Sequence, residues 1–320
     1  MKILLAIDGS PASDRAIELV ATTAWPDGSR IQVINAGETH LAPYAVLPGV
    51  ILSAEAVAAD LQADRERRQE ILNGAAARLA RPGRSVHSEL IEGRVASSIV
   101  NAARTAQSDL IVLGSHGRGA IGSAVFGSVA AEVVEYAATP VLVVRTASIS
   151  RLVLADDGSS SAAAARAMVG RMPGFRGLPV RVVSVSERRP GWFGWTPEAS
   201  AESQAYEEAR QVGFKEHEAI AATAAAELAA AGLVAERLVA SGDPARELVQ
   251  AAEQFKADLI VMGTRGNTGF ERLLLGSVAR KVVQRAHCSV LVLRTRSQKV
   301  PSKSGRPARL ARSARPLSAT

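Results

Sequence analysis

The chain has 320 residues, of which 47% are hydrophobic and 22% charged, proportions typical of a globular protein. It holds no uninterrupted apolar run of about 18 residues and no signal-like segment after Lys2, so we expect neither membrane insertion nor secretion but a cytoplasmic protein. The formal net charge of +7 is no evidence for nucleic-acid binding by the folded part, because the seven basic residues of 296–320, a segment without acids, account for all of it.

The first half of the sequence predicts alternating strands and helices. Strands are expected at residues 2–7, 31–36, 86–91, 110–114 and 141–144, and helices at 10–24, 53–79, 95–107 and 128–137. Ser10 followed by Pro11 is a strong start signal for the first helix, and a loop with Pro43 and Pro48 precedes the second.

The second half predicts the same order of elements. Strands are expected at residues 152–155, 180–185, 235–240, 259–263 and 290–293, with a helix at 277–286 between the last two. Asp243 and Pro244 predict the start of its third helix. Residues 297–320 are rich in proline, serine and arginine and cannot bury a core, so we expect a disordered basic tail there.

An internal repeat of 149 residues relates the two halves. Asp8-Gly9-Ser10 recurs as Asp157-Gly158-Ser159, and Gly114 recurs as Gly263. A period of domain length indicates two tandem copies of one fold, not a short-repeat solenoid. We therefore expect domains at 1–146 and 151–296, followed by the tail at 297–320.

Strands that alternate with helices and are apolar on both faces predict a doubly wound, Rossmann-like α/β domain with a five-stranded parallel sheet. Ligands of such sheets bind beyond the carboxyl ends of the strands, where the strand order reverses. The loop after the first strand carries Asp8, and the loop after the fourth carries glycines. The strand order 3-2-1-4-5 brings these two loops together.

A glycine pattern occurs once in each half, between a strand and a helix. Gly114 and Gly117 are followed after nine residues by Gly127-Ser128, and Gly263 and Gly266 after nine residues by Gly276-Ser277. Glycines let the backbone approach a ligand closely, and the N–H groups of a helix start favour an anion. The pattern indicates a phosphate-binding loop in each half.

Two other nucleotide-binding motifs fit poorly. A dinucleotide-binding fingerprint places G-x-G-x-x-G after the first strand, whereas these glycines follow the fourth strand at another spacing. A Walker A loop needs a lysine after its last glycine, and Gly127 is followed by Ser128 and Val129.

Together, the repeated G-x2-G-x9-G-[ST] pattern and the Asp-Gly-Ser after each first strand resemble the universal stress protein family, in the tandem two-domain form of its ATP-binding subgroup. The resemblance runs from about residue 1 to residue 296. It implies one ATP site per domain, with Mg²⁺ held mainly by the phosphates. It also implies that the last strands of two domains pair edge to edge, here 141–144 with 290–293, and that two chains form a homodimer.

Carried over by position, the resemblance assigns three kinds of contact. The aspartates would face the adenosine, the ends of the second strands would offer backbone groups to adenine, and the glycine loops would hold ribose and phosphates. These residues are Asp8, Ala36, Gly114, Gly117, Gly127, Ser128 and Val129 in the first half, and Asp157, Val185, Gly263, Gly266, Gly276, Ser277 and Val278 in the second. Ser128 and Ser277 also suit the role of a helix N-cap. Asn35-Ala36 departs from the His-Val frequent in the family, so we expect the first site to be the weaker one.

Three functions remain open from the sequence. The first is a nucleotide-dependent regulator of stress or dormancy responses that acts on a protein partner of unknown identity. The second is a slow ATPase or phosphotransfer protein; no catalytic or metal-binding residue is assigned, and His116 is matched by Arg265, which argues against a shared catalytic histidine. The third is a nucleic-acid-associated stress protein whose basic tail makes weak, salt-dependent contacts.

Overall fold

The computed structural model describes residues 1–37, 54–117, 126–187, 200–264 and 275–294. The expectations for the loop with Pro43 and Pro48, for Arg265, for Gly266 and for the tail at 297–320 fall outside these residues. No helix within the described ranges is long and apolar enough to cross a membrane.

The first half alternates strands and helices, as the sequence predicts. Its elements are β1 (Lys2–Ala6), α1 (Pro11–Thr22), β2 (Arg30–Gly37), α2 (Ala54–Leu79), β3 (Ser85–Glu92), α3 (Val95–Thr105), β4 (Leu110–Gly114), α4 (Ser128–Tyr136) and β5 (Val141–Val144).

The second half repeats this order. Its elements are β6 (Leu152–Ala155), α5 (Ser160–Arg171), a single 3₁₀ turn (Pro173–Phe175), β7 (Pro179–Glu187), α6 (Ser200–Ala230), β8 (Val234–Gly242), α7 (Pro244–Phe255), β9 (Leu259–Gly263), α8 (Ser277–Arg285) and β10 (Ser289–Leu293).

The ten strands of the described ranges form one sheet in the order β3-β2-β1-β4-β5-β10-β9-β6-β7-β8. Within each half the strands are parallel and follow the order 3-2-1-4-5, which the position of the loops predicts. The halves join where β5 runs antiparallel to β10, with Val143 opposite Val290, so the expected edge-to-edge pairing takes place within one chain. The carboxyl ends of the strands therefore lie at opposite edges of the sheet in the two halves.

Alternating side chains of the strands build an apolar core on each face of the sheet. In β1, Ile3 and Leu5 pack on the side of α1, α2, α5 and α6, whereas Leu4 packs on the side of α3, α4, α7 and α8. Because a strand is buried on both faces, its sequence is continuously apolar instead of alternating. Both faces of the carboxyl edge are thus held by packed helices, which fixes the loops that emerge there.

Two arginines at matched positions fasten the halves together. The Arg145 guanidinium donates to the carbonyl oxygens of Val283, at 2.6 Å, and Cys288, at 3.3 Å, beyond the last turn of α8. Arg294, 149 residues later, donates to the carbonyl oxygens of Val134, at 3.0 Å, and Glu135 in the last turn of α4. Each half therefore supplies the cation that satisfies the carbonyl end of the other half's last helix.

Candidate functional site

The loop after the first strand of each half forms the same turn. The backbone N–H of Ser10 donates to Oδ1 of Asp8 at 3.0 Å, and the N–H of Ser159 donates to Oδ1 of Asp157 at the same distance. The glycine between them has φ of +76° in both halves, a left-handed conformation that favours glycine. The turn places each aspartate, half-buried, at the carboxyl edge of its sheet.

The helices that follow these turns are capped by their own side chains. The Ser10 hydroxyl accepts the N–H of Ser13 at 3.2 Å, and the Ser159 hydroxyl accepts the N–H of Ala162 at 3.2 Å. A serine N-cap satisfies one of the four N–H groups that a helix start leaves unpaired. The starts of α1 and α5 therefore have less need of an external anion.

The helices that follow the glycine loops begin differently. The N-cap residues of α4 and α8 are Gly127 and Gly276, and no side chain among the described residues caps either helix. The suggested N-cap role of Ser128 and Ser277 is wrong, because each serine is the first residue inside its helix. Both hydroxyls are exposed beside N–H groups that have no partner within the helix.

The N-cap glycines also tie each helix to the strand before the loop. The N–H of Gly127 donates to the carbonyl oxygen of Ser115 at 2.9 Å, and the N–H of Gly276 donates to that of Thr264 at 3.0 Å. A Cβ on Gly127 would lie 3.0 Å from Cα of His116, which is tighter than ordinary packing allows. The two ends of the loop therefore touch, and they hold the start of the helix next to the end of β4.

The first glycine of each pattern has a packing role. A Cβ on Gly114 would lie 2.8 Å from both the carbonyl carbon and Cβ of Ala12 in α1. A Cβ on Gly263 would lie 2.7 Å from Cβ and 2.9 Å from the carbonyl carbon of Ser161 in α5. Glycine is thus required at both positions for α1 and α5 to approach the sheet, whether or not a ligand is bound.

The second glycine brings the two loops of the first half together. A Cβ on Gly117 would lie 2.8 Å from Oδ2 of Asp8, and the hydroxyl of Ser10 lies 3.4 Å from the carbonyl oxygen of His116. Asp8, Gly117 and Gly127 therefore surround one region of the carboxyl edge, as the strand order predicts. In the second half the corresponding Gly266 lies outside the described residues.

The ends of the second strands carry Ala36 and Val185. Ala36 is half-buried and lies in register with Ile91 of β3, and Val185 is buried and in register with Ala240 of β8. Both lie next to a polar residue that points to the helix packed on that face, Asn35 in the first half and Ser184 in the second.

Sequence reasoning missed Arg68, a buried arginine of α2 that lies against the end of β2. Its Nε donates to Oδ1 of Asn35 at 3.0 Å, and its Nη2 donates to the carbonyl oxygens of Asn35, at 3.2 Å, and Ile91, at 3.0 Å. Only 6% of the residue is exposed. The 149-residue repeat could have pointed to it, because Arg68 in the first half corresponds to His217 in the second, a change of residue type beside the site.

The second half has its own buried polar group under the site. The carboxylate of Asp156 accepts the N–H of Gly158 at 2.9 Å and pairs with Arg166 at 2.5 Å, and Arg166 also pairs with Glu227 at 2.7 Å. Burial raises the pKa of Asp156, while the Gly158 amide and Arg166 oppose that shift. The first half has Ile7 and Ile17 at the matched positions, so the two halves differ in charge directly below the turn.

Within the described ranges, no group of three or more histidine, cysteine or acidic side chains is arranged to hold a metal ion. The common features of the two sites are therefore an aspartate turn, a glycine-capped helix start and a strand end, in register in both halves. A helix start of this kind offers main-chain amides to an anion without requiring charged side chains.

Comparisons with known proteins agree on one family. The model of the universal stress protein family matches residues 1–145 and again residues 148–294. A universal stress protein of Mycolicibacterium smegmatis is 27% identical over 304 residues, covering 92% of this chain and 97% of its own length. One of Methanocaldococcus jannaschii is 64% identical over 53 residues, which are 17% of this chain and 31% of that relative.

Solved structures show the same architecture. The crystal structure of a universal stress protein from Archaeoglobus fulgidus superposes with a TM-score of 0.57 at 20% identity, covering 91% of this chain and 95% of its own. The chain belongs to the universal stress protein family, with two family domains in tandem.

Proposed function

We propose that this chain is an ATP-binding regulator with one nucleotide site at the carboxyl edge of each half. The observation that carries the proposal is the matched pair of glycine-capped helix starts of α4 and α8, each beside the end of the fourth strand. Main-chain N–H groups at a helix start fit a polyphosphate, because they add directed hydrogen bonds to the favourable end of the helix dipole.

Each residue of the site has a distinct part in this proposal. The amides of Val129 and Val278, with the hydroxyls of Ser128 and Ser277, bind the phosphates. Asp8 and Asp157 face the adenosine, and the backbone at Ala36 and Val185 receives the adenine base. Mg²⁺ is held mainly by the phosphates.

Regulation follows from where the ligand binds. A nucleotide that joins the loop after β1 to the loop after β4 changes the surface of the carboxyl edge, so nucleotide-loaded and empty forms present different surfaces to a partner. We place the protein in the cytoplasm as a homodimer, and a change of its sedimentation with ATP would connect occupancy to assembly.

The first test identifies and counts the nucleotide released when freshly purified protein is denatured. Binding of ATP with Mg²⁺ is then measured by isothermal titration for the wild type and for Ser128→Asp and Ser277→Asp. Each aspartate suits the first turn of a helix but repels a polyphosphate, so we expect at least a tenfold loss of affinity at the substituted site without loss of helix content.

Ser128→Ala and Ser277→Ala serve as matched controls, since they remove only the hydroxyl and should weaken binding much less than the aspartates. Phosphate release measured in the same samples tests for hydrolysis. A protein that binds no adenine nucleotide, or aspartate variants that bind ATP as well as the wild type, would refute the proposal.

A further inference from the structure

Around the end of the second strand, five positions related by the 149-residue repeat carry different types of side chain in the two halves. The first half has one large cation surrounded by acids and an amide, whereas the second has small residues and an imidazole. The pairs are Asn35 and Ser184, Gly37 and Ser186, Asp64 and Gly213, Arg68 and His217, and Glu92 and Ser241.

In the first half, Arg68 takes up hydrogen-bonding groups of Asn35, which precedes Ala36, and of Ile91, which lies opposite Ala36 on β3. Its guanidinium donates to the carbonyl oxygens of Asn35 and Ile91, and it forms an ion pair with Glu92 at 2.9 Å. Gly37 is what makes room for it, because a Cβ there would lie 2.7 Å from Cζ of Arg68. Four hydrogen bonds therefore fix the guanidinium, of which the two to Asn35 are buried and those to Ile91 and Glu92 are partly buried.

In the second half this arrangement is absent from the described residues. Nδ1 of His217 lies 2.8 Å from the hydroxyl of Ser184, which donates in turn to the carbonyl oxygen of Asp156. An imidazole has two ring nitrogens where a guanidinium has five N–H donors, so it cannot bridge two neighbouring strands in the same way. The position of Gly37 is taken by Ser186, whose Cβ would clash with an arginine placed as Arg68 is.

We propose, resting on the proposed function, that Arg68 makes the first half the low-affinity nucleotide site and leaves the second half as the high-affinity one. The backbone at Ala36 is where an adenine base binds under that function, and the guanidinium lies against both of its chain neighbours. An adenine base that binds in the first half has to displace a hydrogen bond that Arg68 donates to a carbonyl oxygen, or it has to bind without the carbonyl groups of Asn35 and Ile91. Either route weakens ATP binding by about tenfold or more relative to the second half.

The test replaces Asn35 and Arg68 with the residues found at the matched positions of the second half, serine and histidine. It then measures ATP binding to the first half alone. In a Ser277→Asp background, which disables the second half, ATP binding is titrated with and without the double substitution Asn35→Ser and Arg68→His. We expect the double substitution to tighten ATP binding at least tenfold. Arg67→Ala is the matched control, since this exposed neighbour pairs only with Asp64 among the described residues and should change affinity less than twofold.

The reciprocal change guards against a variant that fails to fold. In a Ser128→Asp background, the triple substitution Ser184→Asn, Ser186→Gly and His217→Arg installs the arginine in the second half. We expect at least a tenfold loss of ATP affinity there, with an unchanged far-UV spectrum and a cooperative melt.

The outcomes separate the two proposals. Two sites of equal affinity in the wild type, or a converted first half that binds ATP no better than before, overturn the role of Arg68 and leave the proposed function standing. A loss of binding on conversion overturns it as well, because Arg68 would then contribute to binding. A wild type that binds no nucleotide refutes both.

Discussion

Replacing Gly114 with alanine tests whether this glycine is required by packing alone. The new Cβ would lie 2.8 Å from the carbonyl carbon of Ala12 and 3.0 Å from its carbonyl oxygen. These are backbone atoms of the first turn of α1, which the Ser10 cap holds in place, so they cannot move aside as a flexible side chain would. Forcing one methyl group into such a site costs about 1–3 kcal/mol of stability.

Gly74 provides the control, because a Cβ there meets nothing within 4 Å and the residue lies exposed inside α2. Alanine in a helix interior is favoured over glycine by up to about 1 kcal/mol, so Gly74→Ala should stabilise the protein. The two alanine variants should therefore differ by about 1–4 kcal/mol. Gly263→Ala should behave as Gly114→Ala does, since its Cβ would lie 2.7 Å from Cβ of Ser161.

Urea unfolding of the nucleotide-free protein, followed by far-UV circular dichroism, measures these differences without interference from a ligand. A destabilisation of 1 kcal/mol corresponds to about 2–4 °C in the melting temperature of a domain of this size, so thermal melts give a second measure. If Gly114→Ala unfolds at the same urea concentration as Gly74→Ala, the packing argument is wrong.

Two further predictions concern buried groups, the ion pair of Asp156 with Arg166 and the thiol of Cys288. Arg166→Ala should cost about 3–5 kcal/mol at pH 7, because it leaves the Asp156 carboxylate buried without its partner, and clearly less at pH 4. Burial already raises the pKa of Asp156, so native protein takes up this proton more readily than the unfolded chain as the pH falls, and a neutral carboxyl needs no arginine. Asp156→Ile with Arg166→Ile should recover most of the loss, since the first half has isoleucines there; equal costs of Arg166→Ala in urea melts at both pH values would contradict this. Burial raises the pKa of the Cys288 thiol to about 12, so a thiol reagent at pH 8 should label this cysteine only in denaturant, and rapid labelling of native protein would show that it is accessible.

The sequence predicted the fold well because its signals are local and repeated. Apolar runs, a serine followed by Pro11, and one offset of 149 residues were enough to predict the alternation of elements. The strand order came from a single physical requirement, that the loop with Asp8 and the loop with Gly117 meet at one edge. The contact between Oδ2 of Asp8 and Gly117 follows from that order.

Two features of the site depend on packing between distant residues, and the sequence does not reveal them. The packing role of Gly114 was not predicted, because a glycine pattern does not show which atoms a Cβ would meet, and those atoms belong to a helix about 100 residues earlier. Arg68 stands among charged residues of a long helix, a pattern typical of a solvated surface. Its guanidinium is buried in the space that a Cβ on Gly37 would occupy.

The antiparallel contact between β5 and β10 determines what a single chain can connect. Because the strands of the two halves point in opposite directions, a protein that docks on the loops of one half leaves the loops of the other half accessible on the far side. Molecules bound to the two sets of loops would thus lie at opposite edges of one sheet and would not touch each other.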